Sequence, residues 1–266
     1  MMDYAVNKGI NFFDTAAAYG NGASEKIVGK WLCMHGAEKE AVIVATKILP
    51  PFNSAVIEKV VDESLKRLQR ESIDVLYLHR WDASLQNSSS LQTINTLMAK
   101  GKIKALGASN FTAIQLSSIL SQQNKNNCRP FQFVQNNHNL AVSDLSDEYR
   151  KICLQHNIQI ITYSPLGAGF LTGKHASGVQ AGSRFDLIPG HQDVYFNDAA
   201  YARLARLKQV AERTGYTSLR LALAWALHQP GVASVLIGGR TTAHIDQAIA
   251  ALDYNDPAVF SALEET

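Results

Sequence analysis

Four side chains capable of proton chemistry stand at or just after apolar, strand-like runs. Asp14 and Tyr19 lie in NFFDTAAAYG (residues 11–20), Lys47 closes VIVATK, and His79 closes DVLYLH. A carboxylate delivered by a strand end, with a tyrosine five residues later in a small-residue turn ending at Gly20, suits proton transfer to a bound molecule. A free tyrosine titrates near about 10, so a phenol gives up its proton at neutral pH more readily beside a cation. Lys47 is the candidate cation and Asp14 its counter-charge. Singly, each has a plain structural role: Asp14 as a turn cap, Lys47 as a surface lysine, His79 as a hydrogen-bonded core histidine, Tyr19 as half-buried packing. Together, on three successive strand ends, they form the kind of cluster found where titratable groups do work.

The elements that must position them recur as strand, loop and helix every 25–35 residues or so, the size of a βαβ unit. The spacing predicts a helix ending at Lys8 and stopped by Gly9, then strands at 10–14, 41–46, 73–78, 105–108, 131–134, 158–162 and 234–237. Helices are expected at 24–35 (with Ser24 as N-cap and Ile27, Val28, Trp31 and Leu32 inward), 53–69, 90–100, 112–122, 144–156, 199–214, 218–228, 241–252 and 257–264. A long irregular segment runs from Pro165 to Asn197, a length usually reserved for function. No hairpin signal interrupts the series, which points to seven parallel strands. A closed (β/α)8 barrel has eight strands, and no strand precedes the opening helix. The expected fold is therefore α/β of the (β/α)8 TIM-barrel type, lacking the first β-strand and N-terminal hairpin. In such a barrel the strand C-terminal ends share one face. That face gathers Ser109 and Asn110, Gln135, Tyr163 and Ser164, and Gly238, Gly239 and Arg240 beside the first four residues.

Composition narrows the function. The 266 residues are 46% hydrophobic and 18% charged, with no linker-like break, so one domain over 1–266 is expected. A net charge of +2 without a basic cluster gives no reason to expect nucleic acid or an anionic membrane as partner. Three scattered cysteines (Cys33, Cys128, Cys153) argue against a disulfide framework and fit a cytoplasmic setting. No CxxC or HExxH pattern suggests a metal. The apolar runs are of strand length, and no signal-peptide core opens the chain.

The segments GINFFDTAAAYG, VIVATK, IDVLYLHRWD, GKIKALGASNF, ITYSPLGAGFLTGK and SVLIGGRTT resemble the aldo-keto reductases, in family order and over nearly the whole chain. The resemblance implies a catalytic tetrad of Asp14, Tyr19, Lys47 and His79. It implies hydride transfer from a nicotinamide cofactor to an aldehyde or ketone, with Tyr19 as general acid and His79 orienting the carbonyl oxygen. It further implies that Ser109, Asn110 and Gln135 bind the carboxamide and that Tyr163 stacks on the nicotinamide. Ser164, Leu166 and Gly167 would hold the pyrophosphate. Arg184, with Gly238, Gly239, Arg240, His244 and Gln247 at the last cofactor helix, would take the adenosine phosphate, favouring NADPH over NADH. Arginines and helix N-termini suit phosphate on independent grounds, although plain surface charge is the other reading of both arginines. Trp81 and Tyr195 are candidates for the substrate wall. The chain departs from the family at its short N-terminus, its short C-terminal tail, His138 (commonly aromatic) and Ala248 (commonly Asn or Gln). A non-catalytic cofactor-binding relative, like the potassium-channel β subunits, and a truncated inactive product are the rival readings.

Overall fold

Apolar runs of six or so residues, each bounded by a turn and followed by an amphipathic stretch, fold as parallel strands covered by helices. The computed structural model describes residues 1–35, 41–175 and 178–265. In chain order the elements are α1 (Met2–Asn7), β1 (Phe12–Asp14), α2 (Ala23–His35), β2 (Ile43–Ile48), α3 (Ser54–Leu68), β3 (Ile73–Leu78), α4 (Ser88–Ala99), β4 (Ile103–Ser109), α5 (Ala113–Lys125), β5 (Phe133–Asn139), β6 (Val142–Ser143), α6 (Asp147–Gln155) and β7 (Gln159–Tyr163). Then follow α7 (Arg184–Leu187), α8 (Gln192–Tyr195), α9 (Asp198–Thr214), α10 (Ser218–Leu227), β8 (Val232–Leu236), α11 (Thr242–Ala251) and α12 (Pro257–Glu264). Seven of the described strands are parallel, in the order β1-β2-β3-β4-β5-β7-β8, and the helices alternate with them. This is the (β/α)8 class of architecture.

The chain divides into two compact units, Met2–Gln135 with Asp147–Gln159, and Met1 with Asn136–Ser146 and Ile160–Thr266. In the first unit the register sets Asp14 beside Ala45, Lys47 beside Tyr77, Tyr77 beside Gly107, and Ser109 beside Gln135. Gly107 is required by that last-but-one pairing: a Cβ there would lie 2.4 Å from the Tyr77 ring. Helix α3 starts on Asn53, whose side chain accepts from the Val56 amide, and buries Ile57, Val61, Leu65 and Leu68. Helix α2 packs closely on α3, since a Cβ on Gly29 would stand 2.4 Å from the Arg67 carbonyl oxygen. Glu25 of α2, fully buried, is matched there by Arg67 Nε at 2.6 Å and by the Thr46 hydroxyl at 2.6 Å.

In the second unit α9, α10, α11 and α12 bury Leu204, Leu207, Leu221, Trp225, Ala248 and Phe260 in one apolar cluster. Phe170, Phe185 and Tyr195 from the segment after β7 join it.

Several expectations need correction. Strand β2 runs to Ile48, so Lys47 sits within it. Helix α2 begins one residue early, so Ser24 is not its N-cap; its hydroxyl accepts from Thr15 at 2.7 Å instead. Ile27 is 61% exposed while Val28 and Trp31 face inward, because 3-4 spacing alone does not say which edge of a stripe is covered. A short antiparallel pair, β5 with β6, interrupts the parallel series. Asn139 makes that turn possible: its side-chain oxygen accepts from the amides of Ala141 and Val142 at 3.0 and 3.1 Å. The long segment after Pro165 holds short helical turns in addition to α7 and α8; residues 176 and 177 of it lie outside the described residues.

Candidate active site

In the first unit the sequence-selected residues meet around one buried ammonium. The Lys47 side chain is 1% exposed, which is tolerable only with its charge paired. Its Nζ is ion-paired with the Asp14 carboxylate, donates to the Thr15 carbonyl at 2.9 Å, and lies 3.5 Å from the Tyr19 hydroxyl. The ammonium is also 5.0 Å from the centre of the Tyr19 ring. The second oxygen of Asp14 accepts from Gln135 Nε2 at 2.8 Å, so the carboxylate is fixed from both sides. Tyr19 is 41% exposed, so the residue that the ammonium approaches from the interior also reaches the surface.

His79 sets its ring 5.8 Å from that of Tyr19, nearly edge-on at 81°. Burial first, then the charges of Lys47 and Arg80, hold its pKa down to about 4, so the imidazole is neutral at neutral pH. His79 Nδ1 and the Trp81 indole Nε1 are both buried without a hydrogen-bond partner. Orphaned polar atoms such as these are what a bound molecule would satisfy. Tyr77, beside Lys47 in the β2–β3 register, is fully buried. Burial, and secondly the Asp14 charge, push its pKa well above the ordinary tyrosine range, so that hydroxyl stays protonated.

Ser109 (1% exposed) and Gln135 (2% exposed) close β4 and occupy β5 respectively. Asn110 takes a left-handed φ of +59°, which asparagine accepts more easily than most residues. That turn lets its amide group donate to the His79 carbonyl at 3.0 Å while its backbone N–H donates to the Gln135 carbonyl at 3.0 Å. Three neighbouring strands, β3, β4 and β5, are thus tied at one residue.

The second unit carries the remaining predicted residues. Tyr163 closes β7, and the chain then turns through left-handed positions at Ser164, Gly167, Ala168 and Gly169. The turns close through Gly167 N–H to the Ser164 carbonyl at 2.8 Å and Gly169 N–H to the Leu166 carbonyl at 3.0 Å. Arg184 opens α7, exposed, and its Nε donates to His191 Nδ1 at 3.3 Å. Gly238, Gly239 and Arg240 lead into α11, whose N-cap Thr241 makes no side-chain capping bond, although its carbonyl accepts from the His244 amide at 3.2 Å. His244 accepts from the Arg240 amide at 3.1 Å and packs on Gly239, where a Cβ would come within 2.6 Å of it. Gln247 is exposed on the same helix. An uncapped helix N-terminus beside an arginine fits a phosphate group.

Tyr195 is no substrate-wall residue: it is 3% exposed, packed among Phe170 and Phe185, with its hydroxyl on Asn137. His138, also 3% exposed, packs on Trp225 at 5.1 Å with Nε2 3.1 Å from Gln229 Oε1. Sequence reasoning missed Thr15, whose carbonyl is a third partner of Lys47, and Asn137 and Asn139, which join Tyr195 in one hydrogen-bonded group; only their neighbourhood to Asp14 and Gln135 hinted at them.

The aldo/keto reductase family model matches residues 1–264. The chain belongs to the aldo/keto reductase family, a family of oxidoreductases. Among known relatives it is 30% identical over 262 residues to a probable voltage-gated potassium channel subunit beta of Arabidopsis thaliana, covering 92% of this chain and 78% of that protein. It is 27% identical to the uncharacterized oxidoreductase YrpG of Bacillus subtilis, covering 95% and 81%. It is likewise 27% identical to versiconal hemiacetal acetate reductase of Aspergillus parasiticus, covering all of this chain and 85% of the relative. Among the described residues, no helix is long and apolar enough to cross a membrane.

Proposed function

We propose that this chain is an NADPH-dependent reductase of a small aldehyde or ketone, working in the cytoplasm with Asp14, Tyr19, Lys47 and His79 as its catalytic residues. The observation that carries the reading is the buried Lys47 ammonium, paired with Asp14 and 3.5 Å from the hydroxyl of the exposed Tyr19. Bound NADPH supplies the hydride. Tyr19 gives its proton to the carbonyl oxygen, and Lys47 stabilises the phenolate left behind. Asp14 and the Thr15 carbonyl keep the ammonium aimed at that oxygen. His79, neutral, offers an imidazole N–H to the carbonyl oxygen and fixes its direction. General acid catalysis of this kind contributes roughly 10²–10⁴-fold.

Ser109, Asn110 and Gln135 would hold the coenzyme's carboxamide, and Tyr163 would stack on the nicotinamide. Ser164, Leu166 and Gly167 take the pyrophosphate. Arg184, Gly238, Gly239, Arg240, His244 and Gln247 take the adenosine end, and the two arginines favour NADPH over NADH. Trp81 lines the substrate side, its unpartnered indole N–H available to a polar atom of the substrate.

The test is an NADPH titration followed by tryptophan fluorescence beside a thermal melt, then a panel of carbonyl substrates. Saturable binding that raises the melting temperature, with carbonyl-dependent NADPH oxidation, supports the reading. A cooperative melt with no response to NADPH removes it. The 30% identity to a potassium channel subunit beta favours a second reading, in which coenzyme binding without turnover is the output. Tight NADPH binding with negligible turnover across the panel would select it.

A further inference from the structure

We propose that Tyr195 is a positioning residue for coenzyme binding. With Asn137 and Asn139 it forms a buried polar strut that holds the Ser164–Gly169 turn in its left-handed course; the assignment rests on the coenzyme reading above.

The strut lies wholly within the second unit. Tyr195 ends the four-residue helix α8, 3% exposed, its ring stacked with Phe170 at 6.1 Å and edge-on to Phe185 at 5.8 Å. The same ring backs Gly167, where a Cβ would stand 3.0 Å from Tyr195 Cε1. The hydroxyl donates to Asn137 Oδ1 at 3.1 Å and is 3.0 Å from Asn137 Nδ2. Asn139, fully buried, donates from Nδ2 to Asn137 Oδ1 at 3.0 Å and to the Ser164 carbonyl at 2.9 Å. Its own oxygen is taken up by the Ala141 and Val142 amides.

Ser164 is not glycine, yet it adopts φ +56°. A side-chain-bearing residue stays in that region only when its surroundings over-determine it. Here the Ser164 carbonyl is gripped from two sides, by Asn139 and by the Gly167 N–H. Apolar packing against Phe170 and Phe185 would be served equally by phenylalanine. Burying a hydroxyl is costly unless it is hydrogen-bonded, and this one is spent on the amide that orients Asn139. The connection reaches across 58 residues, from the end of β5 to α8, and both ends close on one turn. The ring supports Gly167 and the hydroxyl supports Ser164 through two asparagines.

The experiment is Tyr195→Phe, which keeps the ring and removes the hydroxyl. The NADPH Kd from tryptophan quenching and the KM for NADPH should rise about tenfold. At saturating NADPH, kcat and the KM for the carbonyl should stay within twofold of wild type. In coenzyme-free protein, amide hydrogens of residues 164–169 should exchange about tenfold faster. A wild-type Kd with wild-type exchange overturns the strut. So does a fall in kcat and melting temperature without a change in the KM for NADPH, which is the signature of a general packing role. If Tyr195→Phe fails to fold, Asn137→Ala cuts the hydroxyl's partner and leaves the aromatic cluster in place; the same tenfold rise is expected, and a wild-type Kd refutes the proposal. A wild-type protein that does not bind NADPH sinks the coenzyme reading instead, and the exchange of coenzyme-free Tyr195→Phe then decides the strut by itself.

Discussion

Lys47→Met removes the one ammonium that joins Asp14, Thr15 and Tyr19 while nearly conserving side-chain volume. The loss is therefore chiefly electrostatic and not a cavity. Asp14 would keep its Gln135 hydrogen bond at 2.8 Å but lose its counter-charge, with its side chain only 13% exposed. Breaking a buried pair by removing one partner costs about 3–5 kcal/mol. The residual exposure of Asp14 and its remaining bond place this case near the low end, about 3 kcal/mol. For a chain of this size that corresponds to a drop of about 6–12 °C in melting temperature. The assay is urea unfolding followed at tryptophan, for Lys47→Met, Asp14→Asn and the double variant. Because the double variant leaves no unpaired charge, its stability should return to within about 1 kcal/mol of wild type, giving a coupling of about 2 kcal/mol or more in the double-mutant cycle. Additive effects, or a Lys47→Met protein within about 1 kcal/mol of wild type, would refute the claim that this pair is a buried electrostatic unit.

Other consequences follow from single contacts. His79 titrates at about 4 in the folded chain against about 6.5 unfolded, so as pH falls the unfolded state takes up the proton first. The associated stability is complete above about pH 6.5 and is lost as pH falls through about 4. Discounted for the partial exposure of the ring, this amounts to about 1–2 kcal/mol. Urea midpoints at pH 7 and pH 5 check it, and a His79→Asn variant should lose less on acidification; an equal loss would contradict the assignment. Gly29→Ala should cost about 2–3 kcal/mol, because its Cβ would meet the Arg67 carbonyl at 2.4 Å and backbone must give way; an unchanged melting temperature would disprove the close approach of α2 to α3. Burial pushes the Cys153 thiol up to about 12 and raises that of Cys128, whereas Cys33 is exposed. A thiol reagent at pH 8 should modify Cys33 first and Cys153 only on unfolding; rapid native labelling of Cys153 would be inconsistent with its burial.

Local signals carried the sequence as far as local physics reaches. Strand β3 was legible because its VLYL stretch (75–78) is an apolar run closed by the polar His79, and α3 because Asn53 announces it and its apolar residues keep helical spacing. Asp14, Lys47 and His79 were legible because each breaks or ends such a run. What stayed hidden depends on partners far along the chain. Nothing adjacent to Thr15 shows that its carbonyl receives an ammonium 32 residues away. The QNNHN run is polar in sequence, yet it is a buried strand whose Asn137 and Asn139 amides find Tyr195 and Ser164 and whose His138 imidazole meets Gln229. Tyr195 looked like a pocket residue from its place in an irregular segment. Its burial follows from a cluster of aromatic rings that only tertiary structure assembles.

The central claim, that Tyr19 is the proton donor of a carbonyl reduction, is most directly tested by Tyr19→Phe. NADPH binding should stay within about threefold of wild type, since the ring and its place beside Lys47 are retained. Carbonyl-dependent NADPH oxidation at saturating coenzyme should fall by roughly 10²-fold or more. Turnover at the wild-type rate with intact binding would take Tyr19 out of the chemistry, and the assignment of the Asp14, Lys47 and His79 constellation as its catalytic support would fall with it.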